Sequence, residues 1–200
     1  MKKIMLIAAL MVATLSASAQ GGPFIKPMAG GTLTTMTGDV ENLKMKFGFV
    51  GGGELGYQFG NVFALSAGAL YSMQGARISN DNTKYNINLD YLNVPIIAAF
   101  YPVPGFGIKA GAQFGFLMNA KQGDEKIKDL CNKHDFSIPL GLSYEFDDCA
   151  LDLRYIIGLS DVFKDDAHGV FAGESYRSKA DGKSRNAVIM LTIGYKIPLY

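Results

Sequence analysis

The sequence predicts an all-β protein: an antiparallel, up-and-down transmembrane β-barrel of about eight strands, with short periplasmic turns and long outer loops. Three observations carry this expectation. Apolar residues alternate with small or polar ones at a period of two, and successive side chains of a strand point to opposite faces. The connections alternate between short and long, which is the habit of outer-membrane barrels. An export signal stands at the amino terminus.

Residues 1–19 form that signal. Lys2 and Lys3 precede an apolar run from Ile4 to Ala13, and Ser16-Ala17-Ser18-Ala19 supplies the small residues of a cleavage site. The run is too short to cross a bilayer as a helix, which takes about 20 residues. Residues 20–200 remain as one barrel domain. Losing Lys2 and Lys3 takes Lys+Arg from 19 to 17 against 18 Asp+Glu, a formal charge of −1. Nothing in that balance points to nucleic acid. Gly is abundant at 24 residues and Trp is absent, while Tyr and Phe number 10 and 13. Gly permits close packing in a narrow barrel, and the aromatic residues suit interfacial girdles.

The first strand, near Phe24 to Thr34, is weakly patterned. The second, near Lys44 to Phe59, sets Phe47, Phe49, Leu55 and Tyr57 against Lys46, Gly48, Gly52, Glu54, Gly56 and Gln58. The third, Val62 to Arg77, alternates Phe63, Leu65, Ala67, Ala69, Tyr71 and Met73 with Ser66, Gly68, Ser72 and Gln74. The fourth, near Tyr85 to Tyr101, changes phase: Ile87 and Leu89 are odd, whereas Leu92, Val94, Ile96 and Phe100 are even. A β-bulge near Asp90-Tyr91 accounts for the change. The fifth, residues 106–121, is the clearest. Phe106, Ile108, Ala110, Ala112, Phe114, Phe116 and Met118 oppose Gly107, Lys109, Gly111, Gln113, Gly115 and Asn119. The sixth (Phe136 to Phe146), seventh (Cys149 to Leu159) and eighth (Asn186 to Tyr200) repeat the pattern. Pro95 and Pro139 fall inside strands and delete ladder donors, so bulges or strand ends are expected there.

Gly60-Asn61, Val103-Pro104-Gly105 and Asp147-Asp148 make tight turns after the second, fourth and sixth strands. Longer polar stretches, above all Gln122 to Lys133 and Asp161 to Arg185, follow the odd strands. Both termini are therefore periplasmic. This topology puts Cys131 in an outer loop and Cys149 at an inner strand end, on the order of 30 Å apart. A disulfide needs Cα atoms within about 7 Å, so none is expected.

Several segments recur in a familiar order: Tyr91-Leu92-Asn93-Val94-Pro95, then Lys109-Ala110-Gly111 with Gly115-Phe116-Leu117. Asp152-Leu153-Arg154-Tyr155, Gly158-Leu159-Ser160-Asp161 and Gly194-Tyr195-Lys196-Ile197 follow. Together they resemble the PorT-like family of outer-membrane β-barrels, also called porin-family proteins. Asn93 stands where the family has Glu, and Pro198-Leu199-Tyr200 runs past its closing motif. The resemblance implies an outer-membrane barrel without implying one activity.

An eight-stranded barrel is just wide enough for side chains to fill it. The inward set includes Lys26, Glu54, Lys109, Glu145, Asp152, Arg154 and Lys196, with Asp90 as a candidate fourth acid. A buried charge left unpaired costs several kcal/mol, so an internal ion-pair network that plugs the lumen is expected. A narrow polar path for ions is the alternative. Gly51, Gly53 and Gly56 fit a dinucleotide fingerprint in spacing but lie within a strand, which excludes it.

His134 and His168 stand in or beside outer loops, without metal-ligand spacing, so no metal and no cofactor is expected. Asp135, Asp165, Asp166, Ser175 and Ser178 accompany them in sequence, the materials of a rim hydrolase or acyltransferase. The expectation is that the protein is not an enzyme. The last outer loop carries Phe163, Phe171 and Tyr176, the side chains best suited to recognising a surface or envelope protein partner. The expected partners are outer-membrane lipid and, during insertion, the barrel assembly machinery; the expected state is a monomer. A soluble ligand-binding barrel would require the apolar faces to be turned inward.

Overall fold

The computed structural model describes residues 21–37, 43–80, 83–122, 125–162 and 185–199. The predicted signal peptide and His168, Phe163, Phe171 and Tyr176 of the last outer loop lie outside the described residues, as do Asp165, Asp166, Ser175 and Ser178.

Eight long strands make the wall: β1 Pro23–Thr37, β2 Lys46–Phe59, β3 Phe63–Asn80, β4 Thr83–Val103, β5 Phe106–Gln122, β6 His134–Phe146, β7 Cys149–Asp161 and β8 Arg185–Tyr195. Each pairs antiparallel with its sequence neighbours. The ladder from Met28↔Gly194 to Thr37↔Arg185 joins β1 to β8 and closes the barrel. The three tight turns carry Gly60 (φ 57°), Gly105 (φ 80°) and Asp147 (φ 51°) in the left-handed conformation that reverses a chain in two or three residues.

Register partners can be followed once round the wall, from Thr32 through Met190, Arg154, Gly141, Lys109, Ala99, Ala64 and Gln58. The circuit returns at Gly22, the residue before β1 and ten residues from where it left. An offset of that size makes the strands lean by about 40° and sets a narrow bore.

Alternation sorts the faces. Phe47, Phe49, Leu55, Ile108, Leu140, Leu153, Leu191 and Ile193 are exposed on the outside, whereas Lys26, Glu54, Lys109, Asp152 and Arg154 are buried inside. The apolar faces are thus outermost, the reverse of a soluble ligand-binding barrel. Aromatic rings gather at both rims. Tyr57, Phe59 and Phe63 lie near the turns, and the Phe114–Phe136 and Phe116–His134 pairs lie near the opposite end. The tilted strand that crosses a bilayer needs about 9–11 residues. With 18, 21 and 17 residues, β3, β4 and β5 exceed that and rise above the outer rim.

The structure corrects four expectations. The stretch after the third strand is not a long loop, because pairing continues to Asn80↔Thr83. The phase of β4 does not change: Ile87, Leu89, Tyr91, Ile97 and Tyr101, all odd, are buried throughout. The register does shift between Asp90 and Tyr91, but Asp90 faces Asn119 and Tyr91 faces Leu117, so the extra residue is Met118 on β5. Ile87 and Leu89 looked lipid-facing because apolar side chains suit the inside of this barrel's outer end as well as its wall.

Asp90, being even, points away from the lumen and accepts a hydrogen bond from Asn119 Nδ2 at 3.2 Å; it is no lumen acid. The prolines need neither bulge nor strand end. At Pro95 the ladder to β3 lapses between Ala67↔Ile96 and Leu70↔Asn93 without a change of register. At Pro139 the ladder to β5 lapses between Ala110↔Leu140 and Gln113↔Ser137 in the same way. One missing donor interrupts one side of a strand, and the other ladder holds it.

Candidate functional site

The lumen is the site the sequence singled out, and its charges meet in two groups. Five form the central group. Lys26 Nζ lies 3.1 Å from Glu54 Oε2 and 2.9 Å from Asp152 Oδ2. Lys109 Nζ contacts Asp152 Oδ1. Arg154 Nη2 lies 2.6 Å from Glu54 Oε1 and 3.6 Å from Asp152 Oδ2. Three cations thus share two carboxylates, and each acid is held from at least two directions. A buried pair repays desolvation only when its geometry and remaining contacts are good.

Glycine makes room for this group. A Cβ on Gly68 would lie 2.7 Å from Glu54 Cγ, one on Gly141 would lie 3.1 Å from Arg154 Cγ, and one on Gly194 would lie 3.1 Å from Lys26 Cγ. Long charged side chains lie flat across neighbouring strands because those strands have no side chain there.

The second group closes the turn end. Lys196 Nζ donates to Glu145 Oε2 at 2.9 Å and to Gln58 Oε1 at 3.0 Å, and Tyr101 OH donates to Glu145 Oε1 at 2.6 Å. The Lys196 ammonium also stands 4.9 Å from the Phe24 ring centre and 5.8 Å from that of Tyr101. Lys26, Glu54, Lys109, Glu145, Asp152, Arg154 and Lys196, the inward set expected from sequence, face the lumen and lie in ion pairs there.

Two apolar layers were not foreseen. Met28, Val50, Leu70, Ile156, Val188 and Met190 pack together on the loop side of the central charges. Farther out, Ile87, Leu89, Tyr91, Leu117 and Ala120 face inward and meet Ile127, Cys131 and Val162. Those last three belong to chain that folds back over the opening. Ile127 N–H donates to Ala120 O at 3.1 Å, and Asn132 N–H to Val162 O at 2.9 Å. A 3-10 turn at Lys128–Leu130 carries Cys131 beneath it, fully buried. The signal for this cap was present in sequence as one odd parity, Ile87, Leu89 and Tyr91, that is apolar up to Asn93.

Neither Cys131 nor Cys149 is in a disulfide; one lies in the cap and the other at the Asp147-Asp148 turn. His134 is exposed and meets Phe116 edge-on at 5.6 Å, while strand alternation turns Asp135 to the opposite face, so the two form no dyad. Among the described residues no group of three His, Cys, Asp or Glu side chains could hold a metal.

A closed antiparallel barrel with an apolar outer surface, aromatic rims and a packed charged interior defines an integral membrane β-barrel protein. Residues 16–164 match the family of the outer membrane protein beta-barrel domain, and the chain belongs to that family. Several solved structures share the fold. Neisserial surface protein A (NspA) superposes with a TM-score of 0.53 at 12% identity, over 88% of this chain and 99% of its own. Ail, the attachment invasion locus protein of Yersinia pestis, solved with the heparin analogue sucrose octasulfate, gives a TM-score of 0.51 at 16% identity. The match covers 89% of this chain and 99% of Ail. No curated protein matches the sequence.

Proposed function

We propose that this protein is a sealed barrel of the outer membrane, neither catalytic nor conducting, that serves as a structural anchor and presents its outer end for surface interaction. The observation that carries this reading is the stack of layers across the bore. The apolar cap of Ile87, Leu89, Tyr91, Ile127, Cys131 and Val162 lies at one end, the Lys196–Glu145–Tyr101 group at the other, and the five-charge group between them. Ions crossing such a bore must break a paired charge cluster and wet an apolar seal. The finer kinship, to the PorT-like branch, rests on the run Tyr91-Leu92-Asn93-Val94-Pro95 and its companions. Export rests on the Lys2-to-Ala19 signal. A monomer inserted by the barrel assembly machinery and surrounded by outer-membrane lipid completes the reading, with Phe163, Phe171 and Tyr176 as the side chains for a surface or envelope protein partner.

Planar-bilayer recording of the folded protein tests it. The expected trace is indistinguishable from bare membrane. A steady, ohmic conductance that scales with inserted protein would reject the sealed barrel in favour of a narrow channel.

A further inference from the structure

The five central charges do not balance. Lys26, Lys109 and Arg154 carry three positive charges against the two negative charges of Glu54 and Asp152, and all five side chains are buried. Lys196 and Glu145 at the turn end add one charge of each sign, so the surplus stays. Asp135, the next inward acid, pairs in register with Gly115, six residues along β5 from Lys109 and about 20 Å away. The layer from Met28 to Met190 covers the group on the loop side, and Phe24, Ala64, Ala99 and Tyr101 lie toward the turns. A net positive charge is thus enclosed deep in the bore, where an ion without a counter-charge is costly.

One side of the group has donors to spare. Lys109 stands on β5 and reaches Asp152 on β7, so its ammonium crosses the inner face of β6. Register places Gly141 of β6 beside Arg154, and Ser143 beside Asp152. The Arg154 side chain lies against Gly141, where a Cβ would come within 3.1 Å of its Cγ. The Ser143 hydroxyl leans over Gly107, the neighbour of Lys109 on the inner face of β5; a Cβ there would lie 2.5 Å from Oγ. Arg154 Nε and Ser143 Oγ are both buried, and neither has a hydrogen-bond partner among the described residues. Asp152, the acid at this edge, is already taken by Lys26, Lys109 and Arg154. Three donors therefore border one stretch of β6 with no free acceptor between them.

We propose that a single chloride ion binds over β6 and neutralises the central group, with the Lys109 ammonium, Arg154 Nε and the Ser143 hydroxyl as its donors. A small monovalent anion matches one surplus charge and a set of donors; a polyanion would reverse the imbalance. The ion is taken up as the barrel closes and stays in place, so the site does not require a conducting bore.

Urea unfolding of the full barrel in lipid vesicles provides the test, with chloride exchanged for gluconate at constant ionic strength. A folded state that holds one chloride should show an unfolding constant that falls about tenfold for each tenfold rise in chloride once the site fills. Lys109→Gln removes the surplus charge and should abolish that response. Ser143→Ala keeps the charge, and its response should need about tenfold more chloride, the effect of losing one hydrogen bond to a charged group. Heat-dependent gel mobility checks that each variant is folded, and if Lys109→Gln does not close, Ser143→Ala decides. A wild-type barrel that ignores chloride would overturn the site, the surplus then being shed as a lysine proton or shared with water. A chloride response that either folded variant keeps unchanged would put the ion elsewhere and equally reject the proposal.

Discussion

Arg154 shows how much one residue can settle. It is almost completely buried, reaches both Glu54 and Asp152, and lies across Gly141 on the next strand. Removing one member of a buried charged group leaves the others without compensation, at a cost of about 3–5 kcal/mol. Arg154→Ala should lower stability by that amount in urea unfolding from lipid vesicles, while bilayers containing it stay silent, because the apolar cap and the Lys196–Glu145 group still close the ends. Conductance with unchanged stability would mean that the cluster is a gate instead of a structural tie. At this scale the sequence was highly legible. Charges at inward parity in a narrow barrel have no alternative to one another, so Glu54, Lys109, Asp152 and Arg154 could be expected in one network without coordinates, though not which pairs with which. Tyr101 was less legible, because its hydroxyl finds Glu145 only through the pairing of non-neighbouring strands β4 and β6 with β5.

Among the elements, β5 is the most instructive. Its alternation is clean to Leu117, and Met118 is then an extra residue between the partners of Asp90 and Tyr91. A bulge of this kind lets the faces beyond it be reached with one residue fewer on the partner strand. Deleting Met118 should therefore leave Ala120 inside and Lys121 outside. The shortened protein should fold, and a cysteine at position 121 should label with a membrane-impermeant maleimide as fast as in the full-length chain. Loss of labelling would show that the bulge fixes the face on which Lys121 lies. The sequence located the irregularity at the right depth but assigned it to β4. Ile87 and Leu89 were the reason: periodicity reports that residues share a face, and an apolar face is ambiguous when both lipid and a sealed lumen accept it. The prolines were misjudged for a related reason. A strand has two ladders, and losing one donor costs one bond on one side, without forcing the strand to end.

On the scale of the whole molecule, closure is the dominant fact. In hydrocarbon every backbone donor and acceptor must be satisfied within the protein, and a barrel achieves this only when its first and last strands pair. The β1–β8 ladder does so over ten residue pairs, and the two pairs between β1 and the segment Ile197–Pro198 extend it. The unboiled protein should accordingly migrate differently from the boiled protein on a gel, and addition of a thiol reductant should change neither band, since neither cysteine is in a disulfide. A mobility that responds to reductant would indicate a covalent link and contradict the separation of Cys131 from Cys149.

Alternation, loop parity and inward charge are local or nearly local properties, so the sequence by itself determined the fold class, the strand order and most of the lipid-facing side, with Ile87, Leu89 and Asp90 the exceptions. Three features depended on contacts between segments far apart in the chain. The ten-residue offset round the wall is a sum over all eight pairings, and no single strand encodes it. The apolar cap forms because Ile127, Cys131 and Val162 return over inward positions of β4 and β5. The opposition of Lys121 to Lys126 follows from the register of a hairpin that continues above the membrane. Periodicity assigns residues to faces, but which faces meet, and what they enclose, is fixed only when the strands close on one another.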